Sequence, residues 1–288
     1  MDFLRPLLPV AYPMLRLSRL VRRVVPGAGA GAAELRVLLY HDIHPRQLDV
    51  FRDQLTDLSR RWKFITPVQF ERVMRGEEPL RQDSLLLTFD DGFASNSQVA
   101  EQVLKPLGMQ AIFFVVTEFV DQRDRLDARR FICDRLKAGT EPDALPEHWF
   151  NMGWTDLAHL IEQGHVVGAH TATHERLLSD VPEDVLRHEI INGADRLEDR
   201  LDVAVRHFAY PFGDFRSFSQ QAMVIAKTRF DFVHSGLRGN NLPGSSSLVI
   251  RRDAVNTGDS HALIGAFLEG ASDLRYHRAG QMLECWAK

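Results

Sequence analysis

Cysteine is scarce in this sequence: two residues among 288, Cys133 and Cys285, far apart and outside any C-x-x-C spacing. That count argues against a disulfide framework and fits a reducing compartment. No apolar run reaches the roughly 18 residues a membrane-crossing helix needs. Basic excess is also missing, since 35 Lys and Arg face 39 Asp and Glu for a net charge of -4. With no basic stripe in the body of the chain, nucleic acid is not an expected partner. No internal repeat at a period of roughly 20–50 residues is found, which excludes solenoid arrays. What remains is the ordinary composition of a globular protein, long enough for one large α/β domain or two small ones.

Strand-like and helix-like segments alternate along most of the chain. Leu35–Tyr40, Leu85–Phe89, Ala111–Val116, His165–Ala169, Val205–Tyr210, Phe230–Val233 and Leu248–Ile250 read as short buried strands. Between them lie helical patterns: 48–60, with Leu48, Phe51, Leu55 and Leu58 on one face, then 68–75, 96–105, 154–163, 182–200 and 219–228, with 261–268 as the tail. This pattern argues for an α/β barrel or a doubly wound sheet. Residues 118–150 are irregular and read as an insertion over the active-site face. No second core is evident, so residues 32–288 are taken as one domain and 1–31 as an N-terminal appendage. Within the appendage, residues 3–24 place Arg16, Arg19, Arg22 and Arg23 among leucines and valines at helical spacing. The segment lacks the pattern of a signal peptide, because prolines break its apolar stretch and the arginines follow it. It reads either as an interfacial helix on anionic lipid, a peripheral membrane contact, or as a helix packed on the domain with its arginines in water. Pro26–Gly31 reads as a flexible linker.

The chemistry is concentrated in two runs. Leu85-Leu86-Leu87-Thr88-Phe89 leads into Asp90-Asp91-Gly92. Strand ends of this kind are where α/β folds bind ligands. Adjacent strand residues face opposite ways, so both aspartates enter one pocket only if the strand stops there, and Gly92 supplies the freedom for that stop. The plain alternative is a solvated Asp-Gly turn. His170-Thr171-Ala172-Thr173-His174 begins at another expected strand end and separates two imidazoles by four residues. On a helical turn that spacing shares a face and suits two ligands on one metal. Two imidazoles and one carboxylate make a three-ligand site with room for water.

The runs T-F-D-D-G (Thr88–Gly92), H-T-x-T-H (His170–His174) and F-A-Y-P-F-G (Phe208–Gly213) resemble the successive motifs of the polysaccharide deacetylase family, the NodB-homology domains of carbohydrate esterase family 4. The likeness extends from about Val37 to Val255. It implies a distorted (β/α)7-type barrel and a divalent metal, usually zinc, with removal of N-acetyl groups from amino sugars. Carried over residue by residue, Asp90 matches the general base, and Asp91, His170 and His174 match the metal ligands. The oxyanion donor is then the N–H of Phe212.

Two departures stand out. Where the family has an arginine that steadies the base, this chain has Ala209; Arg251 or Arg252 is the expected substitute. The family's late histidine, its general acid, has no counterpart near Leu248–Asp253. His41, after Tyr40 at the end of the first strand, is the candidate substitute, with His234 a weaker second; the same Tyr-His start resembles the subgroup that acts on poly-N-acetylglucosamine-type and other bacterial surface polysaccharides. Trp154 reads as a core residue and the remaining histidines show no partner pattern; Tyr210 and Phe212 either flank the sugar or pack, and Asp42 and Asp214, near the strand ends, either touch substrate or sit in solvated turns. The expected partner is an N-acetylated amino-sugar glycan or a lipid-linked or nucleotide-linked precursor, met in the cytoplasm or at the inner membrane face. Two other readings stay open: a non-haem iron oxygenase, which uses the same ligand set, and a catalytically silent carbohydrate-binding protein of the same fold.

Overall fold

The computed structural model describes residues 8–24 and 33–288. The linker expected at Pro26–Gly31 lies outside the described residues. Eight strands form one parallel sheet: β1 (Leu35–Tyr40), β2 (Lys63–Phe64), β3 (Ser84–Phe89), β4 (Ala111–Val115), β5 (Val166–Ala169), β6 (His207–Ala209), β7 (Phe232–His234) and β8 (Asp253–Ala254). Their spatial order is β7-β6-β5-β4-β3-β1-β8, with β2 beside the start of β3. β1, β3 and β4 are buried along their whole lengths, as strands covered on both faces must be. The segment around β8 draws the sheet round: Ile250 bridges His234 of β7, and Asp253–Ala254 pairs with Leu38–Leu39 of β1. The result is the distorted, partly closed barrel with helices around it that the motif resemblance implied.

Arg36 is the one charged residue inside β1, and it is fully buried. Its guanidinium grips Asp253 at 2.8 and 2.9 Å and Asp273 at 2.7 Å, which ties β1 to β8 and to the start of the last helix, Asp273–Ala287. Helices form where the apolar spacing and caps require them. Leu48–Ser59 buries Leu48, Phe51, Leu55 and Leu58, and Pro67–Met74 opens on a Thr66–Gln69 capping box.

The sequence reading needs several corrections. The last strand is Asp253–Ala254 rather than Leu248–Ile250, because the buried ion pair with Arg36 sets the pairing and Ile250 makes only a bridge. The two-residue β2 and the helix Asp273–Ala287 were not expected. The long helix after residue 182 is interrupted by a π-helical turn at His188–Asn192.

Register brings the chemistry to one edge. Tyr40 lies opposite Phe89, and the Asp90 N–H continues the ladder to the Tyr40 carbonyl at 2.9 Å. Val115 lies opposite Ala169, and the His170 N–H donates to the Val115 carbonyl at 3.0 Å. His41, Asp90 and His170 are therefore the first residues past the C-terminal ends of β1, β3 and β5, three parallel strands of the one sheet.

Candidate metal centre

At Asp91 the chain enters the left-handed region with φ of 75°, and Gly92 follows at 91°. This reversal overrides strand alternation and turns both carboxylates into one cavity. A Cβ on Gly92 would lie 3.2 Å from Cγ1 of Val115, so a side chain there would crowd Val115 as well as strain φ.

The two histidines do not sit on a helical turn, which corrects the expectation from their spacing. Residues 170–174 form an irregular loop, with Thr171 at φ 66° and His174 at 68°. Its shape is held from outside. The buried Glu189 carboxylate accepts from the Thr173 N–H at 2.9 Å and from the Thr173 hydroxyl at 2.7 Å. The Glu189 carbonyl also takes the Ala172 N–H at 3.0 Å. Glu189 belongs to the π-helical turn, a backbone irregularity often found beside functional sites. Nothing in the sequence marked it.

Each imidazole is oriented through Nδ1. His170 donates to the Ala209 carbonyl at 2.6 Å, and His174 to the Arg135 carbonyl at 3.3 Å. Both Nε2 atoms are thereby left to face Oδ1 of Asp91, each at 3.5 Å. That Oδ1 is buried and has no hydrogen-bond partner. A donor atom from each of Asp91, His170 and His174 lies within 4.8 Å of the other two. An orphaned carboxylate oxygen facing two imidazole nitrogens, all buried, is what a divalent cation would satisfy. The outer Nδ1 hydrogen bonds are those that usually fix metal-ligating histidines.

Burial and mutual charge set the electrostatics of the three groups. Burial pushes the Asp91 carboxyl up, but the imidazoles of His170, His41 and His174 outweigh it and hold the group well below the usual carboxylate range. Burial lowers His174 to about 4, which keeps its ring neutral, the form a ligand needs. His170 shifts the other way: burial lowers it, but Asp90 and Asp91 raise it above its ordinary value.

Asp90 stands beside the cluster. Arg252 grips it at both oxygens, Nη1 to Oδ1 at 2.7 Å and Nη2 to Oδ2 at 2.9 Å. Arg252 is itself fixed by the Ser235 carbonyl at 2.8 Å and by the Phe114 ring, 5.1 Å from the guanidinium carbon. Burial raises the Asp90 carboxyl; Arg252 first, then His170 and His41, bring it below its ordinary value. Of the two expected substitutes for the missing arginine, Arg252 fills the role. Arg251 pairs with Glu284 at 3.1 Å.

The cavity over these groups has a volume of about 160 Å³ and is lined by His41, Asp90, Asp91, His170, His174, Phe212 and Arg252, with Leu136 and Lys137 from the 118–150 insertion. His41 is exposed at its rim. Phe212 has φ of 64°, its ring lies against His174, and its N–H has no acceptor among the described residues. His234 is elsewhere: it is buried, with Nε2 3.0 Å from Nδ1 of His207, whose Nε2 meets Glu71 at 3.2 Å. Asp42 is occupied by Ser95, His148 and Trp149, and so anchors the insertion. His148 thus has a partner that its sequence context did not reveal.

Comparison with known proteins agrees with the geometry. Residues 77–229, just over half of the chain, match the sequence model of the family described as polysaccharide deacetylase. The chain belongs to the polysaccharide deacetylase family. Among solved structures it is similar to IcaB from Ammonifex degensii, with 26% identity, a TM-score of 0.65, and coverage of 83% of this chain and 98% of that one. It shares the fold of the Streptococcus pyogenes deacetylase PplD, at 19% identity and a TM-score of 0.63 over 81% of this chain and 97% of that one. The Bacillus subtilis (strain 168) protein YxkH is 20% identical over 245 residues, 82% of this chain and 77% of that protein. The matched region includes Asp90, Asp91, His170, His174 and Phe212 but ends before Arg252. The arginine that clamps Asp90 therefore comes from a segment beyond the matched region.

Proposed function

We propose that this protein is a metal-dependent hydrolase that removes N-acetyl groups from amino-sugar residues of a polysaccharide. The observation that carries the reading is the orphaned, buried Oδ1 of Asp91 facing two imidazole nitrogens, beside an Asp90 that ligates nothing and is clamped by arginine. Asp91, His170 and His174 would hold a divalent ion, and the nitrogen-rich donor set suits zinc. Bound there, the ion would supply Lewis acidity and a water of lowered pKa.

The chain's own residues account for the remaining steps. Asp90 takes a proton from the water as its oxygen attacks the acetamide carbon. The Phe212 N–H donates to the oxygen on which negative charge builds. His41, at the open rim, delivers a proton to the nitrogen as the C–N bond breaks, leaving acetate and a free amine. Arg252 keeps Asp90 ionised and aimed. The clamp also weakens the silent carbohydrate-binding reading, because the arginine whose absence favoured that reading is supplied by another residue. The iron oxygenase reading has no support from the fold or the family.

The test is acetate release from N-acetylated amino-sugar oligomers and polymers by zinc-loaded protein. Chelation, Asp90→Asn and His170→Ala should each abolish release, and His41→Asn should lower kcat by about 10²–10⁴-fold. Equal release by the Asp90→Asn protein would refute the reading.

A further inference from the structure

The helix Leu8–Val24 packs on the helix His261–Leu268, and Tyr12 sets the close approach: a Cβ on Gly265 would fall 2.5 Å from its ring. The Tyr12 hydroxyl also meets Arg61. This inner side accounts for only part of the helix. Val10, Met14 and Leu17 stand out at 77%, 76% and 62% exposure, and Pro13 between them is exposed as well. These four fall at i, i+3, i+4 and i+7, so they form one apolar stripe facing away from the protein. The stripe is about 10 Å long, far too small for a stable protein interface.

Charge indicates what would cover it. From residue 3 to residue 33 the sequence has no acidic residue and has five arginines, Arg5, Arg16, Arg19, Arg22 and Arg23. Arg16 is exposed beside the stripe; the side chains after Ser18 lie outside the described residues. Arg61, ion-paired to Glu269, connects the helix to a cleft of about 700 Å³ lined also by Arg60, which pairs with Asp57, by Lys63 and Arg81, and by one carboxylate, Asp83. Lys63 and Arg81 are exposed, with no carboxylate at ion-pair distance among the described residues. An apolar stripe with Arg16 exposed beside it, and a neighbouring cleft that carries the unpaired Lys63 and Arg81, match an anionic headgroup layer with acyl chains beneath it.

We propose that the outer face of the Leu8–Val24 helix, with the basic cleft beside it, docks this protein onto an anionic phospholipid bilayer. The cleft opens where β2 and β3 begin, whereas Asp90 and Asp91 follow the end of β3, about 20 Å of strand away. The docked protein would hold its catalytic cavity away from the lipid, toward a glycan that extends from the surface.

The experiment is co-sedimentation of the full chain with vesicles of phosphatidylglycerol and phosphatidylcholine, compared with phosphatidylcholine alone. Binding is expected to the anionic vesicles only and to weaken with salt. Met14→Glu/Leu17→Glu should reduce partitioning at least ~10-fold, and Lys63→Glu/Arg81→Glu about fivefold per residue. Both variants should keep wild-type circular dichroism and wild-type activity on a soluble substrate. The second variant does not touch the helix, so it tests the idea even if the first folds poorly. Equal binding to neutral vesicles, no binding at low salt, or unchanged binding of both variants would overturn the proposal. So would a dimer, seen by light scattering, that the helix variant dissociates, because that result would assign the face to a second copy.

Discussion

Removing the guanidinium of Arg252 should damage the protein in a way that a second substitution repairs. Arg252 and Asp90 form a fully desolvated ion pair, with side chains 0% and 4% exposed and both carboxylate oxygens bonded. Arg252→Ala leaves the carboxylate buried without its main counter-charge, a change that typically costs about 3–5 kcal/mol. In the intact protein the Asp90 pKa is depressed, so its contribution to stability is present above the unfolded-state value and lost as pH falls through the folded value. Without Arg252 the burial effect dominates and the sign reverses. The folded carboxyl then binds its proton more tightly than the unfolded one, and the deficit should shrink as pH is lowered from 7 toward 5. The assay is urea unfolding of the metal-free protein at several pH values. Arg252→Ala should lower the midpoint strongly at pH 7 and less at pH 5, and Arg252→Ala/Asp90→Asn should recover much of the loss. A deficit below about 1 kcal/mol, typical of an exposed pair, would refute the reasoning. So would a double variant no more stable than the single.

Other consequences follow from neighbouring residues. Glu189→Ala removes the acceptor of two hydrogen bonds inside the His170–His174 loop; zinc affinity, measured by chelator competition, should fall about 10–100-fold. Gly92→Ala forces a side chain into a left-handed position against Val115 and should cost about 1–3 kcal/mol in urea unfolding. His165 accepts the Ala111 N–H at 3.1 Å, and burial holds its pKa at about 4. The unfolded chain then binds the extra proton below pH ~6.5, and stability should fall by up to ~1.4 kcal/mol per pH unit between there and pH ~4. His165→Gln should flatten that slope.

The sequence alone determined the parts of this protein that local chemistry decides. Buried runs ending in aspartate or histidine marked the strands and their functional edge, because apolar continuity and a following glycine act over a few residues. Asp90, Asp91, His170 and His174 were legible for that reason, and the motif resemblance named their family. The tertiary structure decided what depends on contacts between distant segments. The spacing of His170 and His174 suggested a helical turn, but a loop pinned by Glu189 orients them, and a carboxylate fifteen residues beyond His174 leaves no local trace. The choice of Arg252 over Arg251 required the path of the barrel-closing segment, since adjacent residues there face opposite ways: one meets Asp90 and the other Glu284. The N-terminal segment showed its arginine spacing in sequence, but which of its faces is covered depended on the helix His261–Leu268, about 250 residues away. Burial and pairing across such separations are properties of the folded chain, and no local window of sequence contains them.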